Sequence, residues 1–468
     1  MIGLLGVGFY ASRKINDSMD FSIAGRRIKF PVLLGTLIGT SIGAASTMGK
    51  AGKAYEFGIM LFFATMAYAI GLFIFGLIAP AIRRSNIWNI PDALFLRYGN
   101  GMRLAFAITM ILSVTALFGT QLIATGLAIT SLAGEWQISY TTAIIGAGTI
   151  MILYTMMGGL LAVAYTDLLQ TIVMISVVGI LLPIIIISDL GVATTMTMLI
   201  PPADNIWGGL TLMYVISIFL IDLPFSLIDP SLWQRAAASS DASSIRKGMF
   251  AASGVYVFWS FVVVFLGVIA AGLFPGLAES AEGVDAAIPK LVITYVPIGL
   301  KGLCLAAMMA IMMSTADTVL LVAGTSFSRD IYQALRPATQ DRTLLSISRG
   351  FILVVGALGI IFALNMKGIF DLILIAFAIF VSGAFVPTLA ALFWKKATRA
   401  GAIVSSVCAS IAVVALYGMK MSGLLPAWIE PIFISIVLSL LLMVVVSHLT
   451  YNPTTATKRL VELKGQSE

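Results

Sequence analysis

The sequence predicts an all-α integral membrane protein with about thirteen transmembrane helices, and three observations predict it. Of the 468 residues, 60% are apolar and 10% are charged, with a mean hydropathy of +1.04, whereas soluble domains are about one quarter charged. The apolar residues run in blocks of about 18 or more instead of alternating, which is the pattern of membrane helices and not of barrel strands. The basic residues collect in every second connection between those blocks. So little chain is left over that a soluble catalytic domain, a nucleic-acid module and a long disordered tail are excluded.

In chain order the apolar segments are 1–12, 31–49, 58–80, 104–132, 139–157, 160–188, 210–229, 249–273, 298–323, 347–365, 369–393, 401–419 and 427–449. Every segment after the first can cross about 30 Å of hydrocarbon at about 1.5 Å per residue. The first, segment zero, is part of MIGLLGVGFYASRK, which runs apolar first and basic second, the reverse of a signal peptide, and reads as the end of a span. With the others numbered one to twelve, alternate connections place 22 of the 28 Lys and Arg residues on one side; the other side holds Lys50, Lys53, Lys290, Lys301, Lys367 and Lys420. Basic residues near span ends gather on the cytoplasmic side. The expectation is a multi-pass plasma-membrane protein with its N-terminus outside and its C-terminus in the cytoplasm.

Two segments make poor continuous helices. Segment one, PVLLGTLIGTSIGAASTMG, contains Gly35, Gly39, Gly43 and Gly49, each costing about 1 kcal/mol in a helix interior. Segment six, TLMYVISIFLIDLPFSLIDP, places Asp222 and Pro224 in its middle, where proline removes a backbone bond and kinks the chain. Close helix packing through small residues also accounts for the glycines of segment one, but not for a matching break in segment six. If segments one to five (31–188) form one repeat and six to ten (210–393) another, each repeat begins with an interrupted helix, and 401–468 supplies peripheral helices and a tail. Five is odd, so the second repeat enters the membrane from the opposite side. That is the layout of an inverted-repeat secondary transporter, in which unwound carbonyls and helix ends at the midplane bind solute and coupling ion.

Within segment eight, Ser314 and Thr315 are adjacent hydroxyls among Met, Ala and Ile, and the carbonyl of Ile311 lies on the face of Ser314. Such oxygens suit a hard cation like sodium; hydroxyls bonded back to their own helix are the alternative. Acidic residues inside spans cost about 2.5 to 3.5 kcal/mol on insertion scales and mark function. Asp167, Asp222 and Asp317 are of this kind, while Asp371 sits near an outer helix end within reach of water. A solvated interfacial position is the plainer reading of Asp167, and ordinary packing that of Phe225 beside the kink.

Four strings, spread from residue 20 to 332, carry a resemblance: DFSIAGRRIKF before segment one, MMGGLLAVAYTDLLQ into segment five, DPSLWQRAAASSDASSIRKG after segment six and MMSTADTVLLVAGTSFSRDIY in segment eight. In these the chain resembles the sodium:solute symporter family, whose members carry sugars, proline, pantothenate, monocarboxylates, iodide and related solutes with sodium. The resemblance implies a ten-helix inverted-repeat (5+5), leucine-transporter-like core with broken helices one and six. It implies sodium (Na+) as coupling ion and a small polar organic solute as cargo, imported by alternating access. It maps a sodium site onto the carbonyls of Gly39, Ile42 and Ile311 and the hydroxyls of Ser314 and Thr315. It maps solute contacts onto Asp222 and the aromatic gate position Phe225, with Ser41, Ser46 and Ser226 beside them.

Relatives with a second sodium place hydroxyls just after the segment-eight pair, together with the segment-five aspartate, which here gives Asp167, Asp317 and Thr318. Asp317 puts a carboxylate where those relatives have a hydroxyl. Residues 314, 317 and 318 share a helix face, and two carboxylates in a poorly hydrated region need a cation or a proton between them. Asp317 turned to cytoplasmic water, or paired with Arg329, is the alternative. Two other function classes stay open: a proton-coupled carrier using Asp167 or Asp317, and a transporter-like sensor that signals through a partner protein. No Walker loop, metal-ligand cluster or nucleophile beside a base is present in the sequence, so no enzyme is expected. The stoichiometry and oligomeric state are not fixed by it.

Overall fold

The computed structural model describes residues 17–85, 87–132, 138–200, 207–280, 282–366, 368–426 and 428–452. Segment zero, Lys367 and the end of the tail lie outside the described residues. The rest is helical, and ten helices are long and apolar enough to cross a membrane, or eleven when a bent pair near the N-terminus is taken as one span. That bent pair is segment one: α1 (Phe30–Ser41) and α2 (Ala45–Phe57) meet at 60°. The turn falls at Ile42, whose backbone is extended (φ −109°, ψ 102°), within the glycine-rich stretch that weakens the helix. The second half runs on to Phe57, eight residues past the hydropathy boundary, because Lys50, Lys53 and Glu56 lower the local hydropathy without breaking the helix.

After α3 (Leu61–Arg84) and α4 (Asn100–Leu132) comes α5 (Tyr140–Leu190), a run of 51 residues. At about 1.5 Å per residue this would be more than twice the membrane thickness if straight. It is not straight. Gly159 adopts φ 53°, ψ −168°, a conformation glycine tolerates best, and a side chain there would run into the Phe21 carbonyl, 2.9 Å from its Cβ. The Tyr154 hydroxyl hydrogen-bonds the Thr166 hydroxyl across this bend, although residues 12 apart in a straight helix would be about 18 Å apart. The two arms, 140–158 and 160–190, are segments four and five of the sequence reading.

Segment six becomes α6 (Leu212–Ile228) and α7 (Pro230–Ala238), and here the sequence expectation is corrected. The helix continues through Asp222 and Pro224, and the interruption lies at Asp229 (φ −64°, ψ 113°). A proline inside a helix deletes one backbone bond, but it pushes the residue before it out of helical geometry; Pro230 does this to Asp229. The Asp229 carboxylate then accepts from Ser231 N at 2.8 Å and caps α7.

The remaining spans are α8 (Ala242–Leu273), α9 (Ile298–Gln333), α10 (Asp341–Asn365), α11 (Ile369–Phe393), α12 (Arg399–Met421) and α13 (Pro431–Thr450). Every residue of α9 from Ala307 to Ser326 is buried, so this helix is the axis on which α1, α4, α5 and α10 pack. The last two spans are peripheral: Val407, Ile411 and Val414 on α12 and Val437 and Leu441 on α13 are exposed, as lipid-facing residues are. Hydroxyls fasten them to each other and to the core, Ser405 to Ser439 at 2.9 Å and Ser382 to Ser435 at 2.7 Å, with small residues letting the helices approach.

Candidate ion and solute site

The break in segment one frees backbone groups that a continuous helix would pair. Two N–H groups find side-chain acceptors, Gly43 N on Ser46 Oγ (2.9 Å) and Ala44 N on Gln121 Oε1 (2.8 Å). Freed carbonyls turn toward α9. Ser314 Oγ lies 2.9 Å from the Gly39 carbonyl oxygen and 3.0 Å from that of Ile311. Thr315 Oγ1 lies 3.4 Å from the Gly39 oxygen and 3.3 Å from that of Ile42. The structure thus brings all five expected oxygens into one buried cluster spanning α1, the break and α9. Their chemistry is three carbonyls and two hydroxyls, which suits a hard monovalent cation. Gly43 makes this approach attainable, since a Cβ there would stand 2.5 Å from Thr315 Oγ1 and 3.0 Å from Gln121 Oε1.

One turn along α9 lies a charged layer. Asp167 Oδ2 accepts from the Thr36 hydroxyl at 2.5 Å and lies 3.5 Å from the Arg235 guanidinium, with both charged side chains fully buried. Arg235 also donates to Thr36 Oγ1 (2.9 Å) and to Thr318 Oγ1 (2.6 Å). Asp317 turns to the other arm of α5, where its Oδ1 accepts from Thr155 Oγ1 at 2.9 Å. Among the described residues Asp167 Oδ1 and Asp317 Oδ2 have no hydrogen-bond partner. Arg329 is not near Asp317 in this way; its guanidinium stacks 3.4 Å above the Trp88 ring. Asp167 is fully buried and not solvated, and Asp371 pairs with Lys53 at 3.1 Å.

Beside the break is a cavity lined among others by Ser41, Ser46, Lys50, Asp222, Phe225 and Thr315. Thr315 belongs to both the oxygen cluster and the cavity wall. Phe225 stacks on Phe377, with centroids 3.5 Å apart and planes at 14°. The Ser41 hydroxyl bonds back to the Leu37 carbonyl at 2.9 Å. Ser226 is not brought into the cavity: its hydroxyl bonds back to the Leu223 carbonyl at 2.7 Å and it packs against Gly71 of α3, because it follows Phe225 by about 100° around α6.

The family model described as the sodium:solute symporter family matches residues 21–409. The chain belongs to the sodium:solute symporter family. It is 26% identical to sodium/glucose cotransporter 4 of Danio rerio over 85% of this chain and 67% of that protein. It is 25% identical to the osmoregulated proline transporter OpuE of Bacillus subtilis (strain 168) over 98% of this chain and 95% of that one. Among solved structures it superposes on a Na+-coupled sialic acid symporter in a substrate-bound outward-open state with a TM-score of 0.80 at 20% identity, covering 96% of this chain and 95% of that one. The protein is a sodium-coupled symporter of the membrane, with sodium as coupling ion and a small solute as partner, and it has the inverted-repeat transporter fold.

Several residues of the symporter's site escaped the sequence reading. Gln121 was visible as a lone amide inside an apolar segment. Asp229 was visible as an Asp-Pro dipeptide, a common turn signal. In the sequence Arg235 is one of the basic residues of the cytoplasmic connections, and Lys50 reads equally as a residue that draws anions toward the outer mouth or as one snorkelling from a helix end. Arg235 is fully buried, and Lys50 is 2% exposed with its ammonium 2.8 Å from Ser260 Oγ.

Proposed function

We propose that this symporter imports a small polar organic solute together with sodium by alternating access, across a plasma membrane in which its N-terminus is outside and its C-terminus cytoplasmic. The observation that supports this most is the cluster of five oxygens shared by the break in α1 and by α9. A cation there joins two elements that belong to different repeats, 31–188 and 210–393, and so favours one relative placement of the repeats. Thr315 links that cation to the cavity wall, where Asp222 favours solutes offering hydroxyl or amine donors and Phe225 covers them.

The energetics are sufficient. One charge moving down about 150 mV gains about 3.5 kcal/mol, and a tenfold sodium gradient adds about 1.4 kcal/mol. Roughly 5 kcal/mol concentrates a neutral solute about a thousand- to ten-thousand-fold. The test is a thermal-shift screen of purified protein against a solute library with sodium or choline. A solute whose stabilisation requires sodium is expected, and Asp222→Asn should weaken it while leaving sodium binding intact. Equal stabilisation in choline refutes the coupling.

A second cation at Asp167, Asp317 and Thr318 is a further part of the reading, changed by the presence of Arg235. The guanidinium supplies one positive charge to a layer that holds two fully buried carboxylates. One more positive charge balances the layer, and Asp317, whose second oxygen is unpartnered, is where we place it: sodium at neutral pH, a proton in acid. A wild-type sodium Hill coefficient of one at every pH would exclude sodium from this position.

A further inference from the structure

We infer that the solute is a small carboxylic acid, its carboxylate seated against Lys50 and its hydroxyl or amine donors turned toward Asp222. This rests on the symporter reading above and narrows its solute class. Lys50 opens the regular part of the helix after the break, and its aliphatic stem is enclosed by α8. The ammonium has three N–H donors. Ser260 Oγ at 2.8 Å and Tyr256 Oη at 3.5 Å take two of them, and the Tyr256 ring lies 4.6 Å away. Both hydroxyl partners are neutral. No carboxylate among the described residues forms an ion pair with this ammonium, although Asp222 is near enough to act on it electrostatically.

A buried cation held only by neutral hydroxyls is poorly compensated, and an anion brought to it recovers much of the loss. Lys50 and Asp222 both line the same cavity, so the wall presents a cation and an anion that do not touch. A solute with an anionic head and donors elsewhere satisfies both at once. A neutral polyol satisfies Asp222 and leaves Lys50 as it was. A bare acid without donors repels Asp222. Lys50 therefore acts on specificity, and the five oxygens near Thr315 remain free for the cation.

The test uses the full-length protein in detergent, with thermal midpoints measured in sodium and in choline. The probes are pairs that differ only in carboxylate against CH2OH: gluconate and sorbitol, lactate and propane-1,2-diol, proline and prolinol. At least one acid is expected to stabilise the wild type while its alcohol does not. For that acid, Lys50→Met should raise Kd at least about tenfold, Lys50→Arg should keep it within about threefold, and radiosodium affinity should not change. An alcohol bound as well as its acid, no shift from any acid, or Lys50→Met binding the acid within twofold of wild type overturns the inference. The wild-type acid and alcohol comparison needs no variant to fold. Failure of the symporter reading looks different: the acid then binds equally in sodium and choline while its preference over the alcohol stays.

Discussion

Removing the hydroxyls of Ser314 and Thr315 tests the ion site most directly. Ser314→Ala deletes an oxygen that stands 2.9 Å from the Gly39 oxygen and 3.0 Å from the Ile311 oxygen. A buried interaction with a charged group contributes about 1.5 to 3 kcal/mol, so the loss of one of five ligands should weaken sodium binding about 10- to 100-fold. In a thermal assay the effect is large: sodium at 100 times Kd stabilises the folded state by about 2.7 kcal/mol, and a 30-fold weaker site at the same concentration by about 0.9 kcal/mol. The substitution itself should cost about 1 kcal/mol without sodium, because one hydroxyl bond goes and the Gly39 carbonyl keeps Thr315 at 3.4 Å. Thr315→Val, of similar volume, should act likewise and also weaken the solute, since Thr315 lines the cavity. The measurement is radiosodium binding beside thermal midpoints over a sodium titration. A double variant whose sodium half-saturation stays within threefold of wild type would refute the reasoning.

Four further outcomes are expected. Arg235→Met leaves Asp167 buried without its guanidinium and should destabilise the protein by about 3 to 5 kcal/mol, seen in denaturation midpoints, and Arg235→Lys should recover little because it cannot reach Thr36 and Thr318 as a fork. Asp317→Asn should bring a sodium Hill coefficient above one down toward one while transport continues, measured in proteoliposomes. Gly43→Ala drives a methyl toward Thr315 Oγ1 at 2.5 Å and should lower sodium affinity more than expression, whereas Gly254→Ala, with open space around it, should change neither. The Asp241 carboxylate accepts from the Ser244 hydroxyl at 2.6 Å and from Ser244 N at 2.8 Å, the latter capping α8, and this hydrogen bonding holds its carboxyl down at about 2. Its cap is thus in place above the ordinary carboxylate range and fades as pH falls toward 2. Asp241→Ala should therefore cost about 1 kcal/mol at neutral pH, with the difference from wild type closing in strong acid.

Hydropathy made most of the architecture legible because a membrane helix must bury nearly all its length in lipid or protein, and that demand is written residue by residue. The break in α1 was legible for the same local reason: Gly39 and Gly43 weaken a helix wherever they sit. The break after α6 lies seven residues beyond Asp222, because proline acts on its predecessor: Pro230 takes Asp229 out of helical geometry while Pro224 stays inside the helix. Side-chain direction was the harder part. Lys50 and Arg235 have the same linear context as snorkelling residues at span ends, and only the packing of α8 around one and of α1, α5 and α9 around the other shows that both are buried inside the protein. Ser226 failed in the opposite sense, since its neighbour Phe225 faces the cavity and one residue of helix rotation carries it away.

The helix α7 has nine residues, about 14 Å in length, too short to enter the bilayer as an independent span. Its Arg235 would meet lipid at a cost of about 2.5 to 3.5 kcal/mol if it went in alone. During synthesis, Thr36 and Asp167 are already made when Arg235 emerges, but Thr318 follows 83 residues later, which at about 5 to 20 residues per second is a delay of about 4 to 17 s. Over that interval the guanidinium lacks one of its partners and the groove that will enclose it has only two of its walls. The segment after the break is therefore fully enclosed only when α9 arrives: Arg235 has its ion-pair partner Asp167 from the start, waits for the Thr318 hydroxyl, and is enclosed before the last four spans are made.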